Sequence, residues 1–355
     1  MTDTPVAGRR AVFAALAAAL LFGAGTPLAK AILGRADPWM VAALLYLGSG
    51  IGLFAYRAAT RAPKAALSRS EAGSLAAAIA AGGVVGPVLL MYGLAGMPAS
   101  GASLLLNAEA VFTALVAWFA FRENFDRRIA LGMGLIVAGA AAIAWQGEIS
   151  LGTFGPALAV LGACLAWAID NNVTRKVALV DATFIAMCKG LVAGGVNLVL
   201  AVAVTGARWP TPALGAATMA LGFAAYGVSL ALFVVALRGL GTARTAAYFS
   251  TAPFAGAALS IALLGEPVTA SLAAGACLMA AGVWLHLSER HAHAHAHAPM
   301  VHAHEHEHDE HHRHAHGAGD PPGPRHSHEH EHAALSHSHA HYPDSHHRHG
   351  HVRHD

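Results

Sequence analysis

Residues 102–143 read ASLLLNAEAVFTALVAWFAFRENFDRRIALGMGLIVAGAAAI, and residues 245–285 read TAAYFSTAPFAGAALSIALLGEPVTASLAAGACLMAAGVWL. A single ungapped register lays one on the other. It pairs Glu123 with Glu266, Gly132 with Gly275, Ala138 with Ala281 and Gly139 with Gly282, and it sets Ala110 against Pro253. A weaker likeness links LLFGAGTPLAKAIL, from Leu20, to CLAWAIDNNVTRKVAL, from Cys164. The chain therefore reads as two related halves, 9–147 and 148–289, followed by a different segment, 290–355.

Each half is made of apolar runs of roughly 20 residues, the length that crosses a bilayer core as a helix. Ten can be read, near 10–32, 38–57, 73–94, 98–121, 128–146, 152–173, 183–205, 213–236, 242–264 and 269–287. The chain is 55% hydrophobic and 12% charged, about half the charged share of a soluble domain. Mean hydropathy is +0.49 despite a polar tail. The expected fold class is all-α integral membrane, with ten transmembrane helices in two five-helix repeats. An odd number of crossings per half turns the second half over, which is the inverted-repeat layout of secondary transporters. Gly132, Gly134, Gly139, Gly275 and Gly282 are expected where helices approach closely. Cys164, Cys188 and Cys277 fall inside the runs and read as core filler.

Basic residues orient the chain. With the N-terminus in the cytoplasm, the cytoplasmic segments hold Arg9, Arg10, Arg57, Arg61, Lys64, Arg69, Arg122, Arg127, Arg128, Arg175, Lys176, Arg238, Arg244 and Arg290. The opposite side holds Lys30, Arg35 and Arg208. That asymmetry follows the positive-inside rule and puts both termini in the cytoplasm of a multi-pass inner-membrane protein.

The fourth run of each half ends in an acidic residue, FRENFD at Glu123 and LLGEPV at Glu266, and a Gly-rich fifth run follows. With LAWAIDNNVTRK and TAPFAGAALSIALLGE, these motifs resemble the drug/metabolite transporter superfamily, EamA type. The resemblance covers about residues 9–288 and implies a cytoplasmic-membrane transporter, usually an exporter of small metabolites. Where that family commonly has Pro midway along its fourth helix, this chain has Glu109-Ala110. The chain also resembles a subset of that family with a histidine-rich C-terminal tail.

An ionisable group at bilayer depth costs at least ~2.5–3.5 kcal/mol, so each needs a partner or a task. Glu109 is expected near the middle of the fourth span, as a proton-coupling carboxylate, a hard cation ligand, or a buried neutral carboxyl. Asn107 lies half a turn away. Asp170 and Asn171 lie toward the cytoplasmic end of the sixth span and Lys189 at similar depth in the seventh, as a charged lining or a structural ion pair. Lys30 reads as a snorkelling lysine, and Tyr46, Tyr92, Tyr226 and Trp118 as interfacial or packing aromatics. Pro27, Pro87 and Pro253 are expected to break helices near a pathway.

All 25 histidines lie at or after His286. The candidate ligands are His291, His293, His295, His297, His302, His304, His306, His308, His311, His312, His314 and His316. Imidazole suits nickel, cobalt, zinc and copper, and H-x-H repeats on an extended chain put alternate residues on one side. The tail is expected to be disordered without metal, since it has no apolar period and a PPGP break at 321–324.

The expected function is a secondary transporter moving a small solute by alternating access, with export of a divalent transition metal as the sharper reading. The alternatives are an amino-acid or metabolite exporter with an incidental metal-buffering tail, or a membrane-anchored metal-binding sensor. An enzyme is disfavoured, because no phosphate loop, H-E-x-x-H or nucleophile motif is present. No cofactor is required, and divalent metal ions are the expected ligands of the tail. The expected partners are the lipid bilayer and a small-molecule or metal-ion substrate, with no nucleic acid; a homodimer is allowed.

Overall fold

The structure is a computed structural model that describes residues 5–62, 65, 67–121, 127–145, 151–174, 181–240, 242–287, 292–297, 300–307, 325–332 and 335–340. Its compact units are Met1–Ser288 and Glu289–Asp355. Glu123, with Lys64, Arg122, Arg175, Lys176 and Arg290, lies outside the described residues.

The first unit is all-α. A chain in lipid must pair its backbone polar groups internally, and helices do so within one segment. The helices are α1 Pro5–Leu33, α2 Pro38–Ala59, α3 Arg69–Ala78, α4 Gly86–Gly96, α5 Ala99–Leu105, α6 Ala108–Phe121 and α7 Arg127–Ala144. They continue as α8 Leu151–Thr174, α9 Ala182–Thr205, α10 Pro212–Gly222, α11 Ser229–Leu240, α12 Thr242–Phe249, α13 Ala252–Leu264 and α14 Ala270–Leu287. Among the described residues these make nine membrane-length apolar helices or stacked helix pairs and one shorter apolar helix, Ala270–Leu285. The run beginning near 269 is thus the shortest crossing.

Local sequence sets the helix ends. Asp37 accepts hydrogen bonds from Trp39 N–H at 2.9 Å and Met40 N–H at 3.2 Å and precedes Pro38, the pairing of N-cap and N1 proline expected at a helix start. Ser68 and Glu71 form a reciprocal capping box at α3. Gly206 and Gly265 end α9 and α13 at φ +64° and +67°, a conformation that penalises any Cβ.

Among the described residues four spans are not continuous α-helices, and their irregularities match between halves. Ile79–Val85 and Phe223–Val228 are π-helical segments linking α3 to α4 and α10 to α11. Leu106-Asn107 and Ser250-Thr251 separate α5 from α6 and α12 from α13. The register that pairs Glu123 with Glu266 also pairs Asn107 with Ser250 and Val85 with Val228. Pro253 therefore does not kink a running helix. It sits in the first turn of α13, where its missing N–H has no intrahelical partner to lose. Pro87 likewise stands in the first turn of α4, behind the π-segment. Pro27 lies inside α1.

Packing repeats the symmetry. The helix α1 packs on α11 and α13, and its counterpart α8 packs on α4 and α6. Between α7 and α14 the contact is reciprocal. A Cβ on Gly139 would lie 2.9 Å from the Gly275 carbonyl oxygen, and one on Gly282 would lie 2.6 Å from that of Gly132. Repeat mates meeting repeat mates is what a two-fold relation produces. Gly134 departs from expectation: a Cβ there would touch nothing within 4 Å. Of the cysteines, Cys164 is buried, Cys188 half-buried and Cys277 exposed, so core filling describes the first best.

The second unit is the histidine-rich tail. Its described residues are strands. β1 (Ala292–His297) pairs antiparallel with β4 (Leu335–Ala340), and β2 (Met300–Glu307) with β3 (Arg325–His332). The physical reason is the period-2 alternation of histidine with Ala, Glu and Ser, which matches a strand even without an apolar core. His291, His308, His311, His312, His314 and His316 lie outside the described residues.

Candidate functional site

Four polar side chains, those of Glu109, Asn171, Asp170 and Lys189, gather beside the α5–α6 break. Glu109 occupies the first turn of α6, and its Oε1 accepts a hydrogen bond from Asn171 Nδ2 at 2.8 Å. The carboxylate is half-buried and Asn171 is exposed. Its own backbone N–H bonds Leu106 C=O at 3.1 Å, and Ala110 N–H bonds Asn107 C=O at 3.2 Å. These short-range bonds replace the usual i→i−4 pattern, so the carboxylate sits where the helix restarts. A helix N-terminus favours negative charge nearby.

Asn107 goes elsewhere. It is buried, donates from Nδ2 to Leu104 C=O at 2.9 Å and lies 3.9 Å from the sulfur of Met279. It shapes the break without joining Glu109. Asp170 and Lys189 meet as an ion pair at 2.5 Å, and Lys189 also reaches the Thr174 hydroxyl at 3.1 Å. Thr174 donates in turn to Asp170 at 2.8 Å. A buried carboxylate with two such donors is compensated rather than free, so Asp170 and Lys189 act as a fixed pair next to the Glu109–Asn171 contact. Pro253 stands in the first turn of α13, just after the corresponding break of the second half.

The π-segment Ile79–Val85 packs against α8 and α9. A π-turn leaves carbonyls without their α-helical partners, and distant side chains satisfy them here. Tyr46 O–H and Trp167 Nε1–H both donate to Gly82 C=O, at 3.0 and 2.8 Å, and Asn197 Nδ2 donates to Gly83 C=O at 3.0 Å. Gly82 must lack a side chain, because a Cβ there would run into Asp170.

From Tyr46 an aromatic chain leads into the second half. Its ring lies 5.9 Å from that of Tyr226, which lies 5.9 Å from Phe22; Phe22 is 5.3 Å from Phe249, and Phe249 5.1 Å from Phe233. Phe22, Ala225, Tyr226, Ser229, Leu230, Phe233 and Phe249 line a cavity of roughly 200 Å³. It lies against the second π-segment and beside the α12–α13 break.

Sequence reading named Glu109, Asp170, Asn171 and Lys189 as pathway candidates and read Tyr46 and Tyr226 as interfacial or packing aromatics. Trp167, Phe22 and Phe249 carried no signal beyond hydrophobicity. Lys30 is also corrected. Rather than snorkelling, its Nζ donates to the carbonyls of Leu94 at 2.7 Å, Ala95 at 3.1 Å and Met97 at 3.0 Å. In the tail, the strand register sets His293 opposite His339, His295 opposite His337, His302 opposite His330, His304 opposite His328 and His306 opposite His326.

Inverted halves, paired helix breaks and a central polar cluster define a multi-pass membrane transporter. The chain belongs to the EamA-like transporter family, whose model matches it twice, at residues 9–145 and 155–288. A protein of Methanothermobacter thermautotrophicus described as an uncharacterized transporter is 27% identical over 289 residues, spanning 76% of this chain and 84% of that protein. A protein of known crystal structure superimposes with a TM-score of 0.60 at 18% identity, covering 78% of this chain and 95% of that one. It shares the fold.

Proposed function

We propose that the chain exports a small organic solute across the inner membrane by alternating access, in exchange for a proton carried by Glu109. Both termini are cytoplasmic in this reading. The observation that carries it is the Glu109–Asn171 hydrogen bond at a helix break that the second half repeats at Ser250-Thr251. A carboxylate at such a break has a neutral partner and room to gain or lose a proton as its surroundings change. The aromatic cavity beside the second break supports a solute with an apolar or aromatic portion, since these rings offer contact area and little charge.

A second reading, divalent transition metal as the cargo, is favoured by the tail. Its histidine-rich sequence suits nickel, cobalt, zinc or copper. In the first reading the same tail buffers cytosolic metal.

One panel separates the two. Cells with the full chain, with Glu109→Gln or without the protein are loaded with aromatic amino acids or with nickel, cobalt, zinc or copper. Retained solute is then measured. Lower retention of organic solutes that requires Glu109 supports the first reading, and lower retention of a metal supports the second. No difference for any member overturns both.

A further inference from the structure

Glu266 stands just past the C-terminus of α13, after the left-handed Gly265. Its two carboxylate oxygens reach across to another element: Ala99 N–H donates to Oε1 at 2.6 Å and Ser100 N–H to Oε2 at 2.8 Å. Those are the first residues of α5, and both are buried. The α4–α5 turn is thus held from both sides, with Lys30 on the last carbonyls of α4 and Glu266 on the first amides of α5. Bonds from an anion to backbone N–H groups are among the stronger hydrogen bonds.

The contact joins the two helix halves on the face away from Arg9 and Leu287. There α5 packs against α13, with Ser103 beside Gly256. Their counterparts on the other face, α6 and α12, share no comparable packing among the described residues. Instead α6 lies on α7 and α8, and α12 on α1 and α11. Among the described residues, close packing between these two spans is found at the Glu266 end.

We propose that Glu266 is a positioning residue for transport: a latch that holds α13 to α5 and must release for the central site to open on that face. The proposal rests on the alternating-access reading above. A rigid-body exchange between inverted halves has to separate α5 from α13 when α6 and α12 close. Both carboxylate bonds bridge that seam, so they are made in one state and lost in the other. Only such differential contacts shift an equilibrium between states.

The test uses the full chain in right-side-out and inside-out vesicles, with Cys164, Cys188 and Cys277 replaced by alanine and Ser250→Cys at the break as reporter. The probe is a charged, membrane-impermeant methanethiosulfonate. The parent is expected to react from the cytoplasmic face and slowly from the outer face. Glu266→Ala should raise the outer-face rate about tenfold, an equilibrium shift of ~1.4 kcal/mol. Glu266→Gln, which keeps one acceptor oxygen, should fall between the two. An unchanged outer-face rate in both variants, with cytoplasmic labelling intact, overturns the latch alone. A reporter inert from both faces in every variant overturns alternating access as well. A general loss of fold would raise labelling from both faces, and that result also counts against the latch.

Discussion

Gly139 of α7 faces Gly275 of α14 so closely that a Cβ on Gly139 would stand 2.9 Å from the Gly275 carbonyl oxygen and 2.7 Å from Met279 Cγ. The neighbour on one side is backbone, which cannot swing away. Gly139→Leu should therefore cost several kcal/mol, on the order of the 1–3 of an overpacked core or more, and lower the thermal midpoint of detergent-solubilised protein. Gly134→Leu, on the same helix with open space at its Cβ, should leave the midpoint within about 0.5 kcal/mol of the parent. Equal effects at the two positions would mean that the seam does not depend on backbone approach.

Asp181 caps α9 and pairs with Arg57 at 2.5 Å. Burial works against its charge, but the Thr183 hydroxyl, the Phe184 N–H and the Arg57 guanidinium outweigh it and hold the carboxyl below its usual range. A carboxylate lowered in the folded state contributes stability above its unfolded pKa, ~3.9. That contribution disappears as pH falls through the lower folded value. Asp181→Ala should cost ~0.5–2 kcal/mol at pH 7 as a lost cap. The gap between variant and parent midpoints should narrow only below about pH 4. A gap that stays constant down to pH 3 would remove the ionised carboxylate from the explanation.

The spans were legible because apolar runs bounded by charges have one solution in lipid. The second copy of the Gly-rich fifth run made the repeat visible as well. The breaks were not legible where they occur. Proline at positions 27, 87 and 253 drew attention, yet the first-half break falls at Leu106-Asn107 with no proline, and the π-segments leave no compositional mark. What holds them is tertiary: Tyr46, Trp167 and Asn197 satisfy carbonyls far away in sequence. For the same reason Lys30 read as a snorkelling lysine, since its partners lie more than sixty residues downstream. The Asp170–Lys189 pair was within reach because a single hairpin sets its depth.

The tail is a compact unit of its own. Removing residues 291–355 should then leave the thermal midpoint of the remaining chain unchanged within about 0.5 kcal/mol and abolish most nickel binding measured by equilibrium dialysis. Among the described strands, the His302, His304 and His306 positions face His330, His328 and His326 on one ladder. Replacing these six with serine should remove a larger share of bound metal than replacing six of the histidines at 341–354. Equal losses would show that histidine number, not strand register, governs capture.

Glu109→Gln keeps the shape of the side chain and an oxygen that can accept from Asn171 Nδ2, so the 2.8 Å contact survives the change. What it removes is the ability to ionise. If proton exchange at this carboxylate drives transport, the variant should reach the membrane at parental level and bind solute with similar affinity. It should transport at least about tenfold more slowly, a barrier increase of ~1.4 kcal/mol, and solute-driven proton movement in proteoliposomes should vanish. Asn171→Ala tests the partner separately. It leaves the carboxylate ionisable but without its hydrogen-bond donor, so transport should persist with a displaced pH optimum. Parental transport by Glu109→Gln would remove this carboxylate from the coupling step and leave the Asp170–Lys189 pair as the ionisable group to test next.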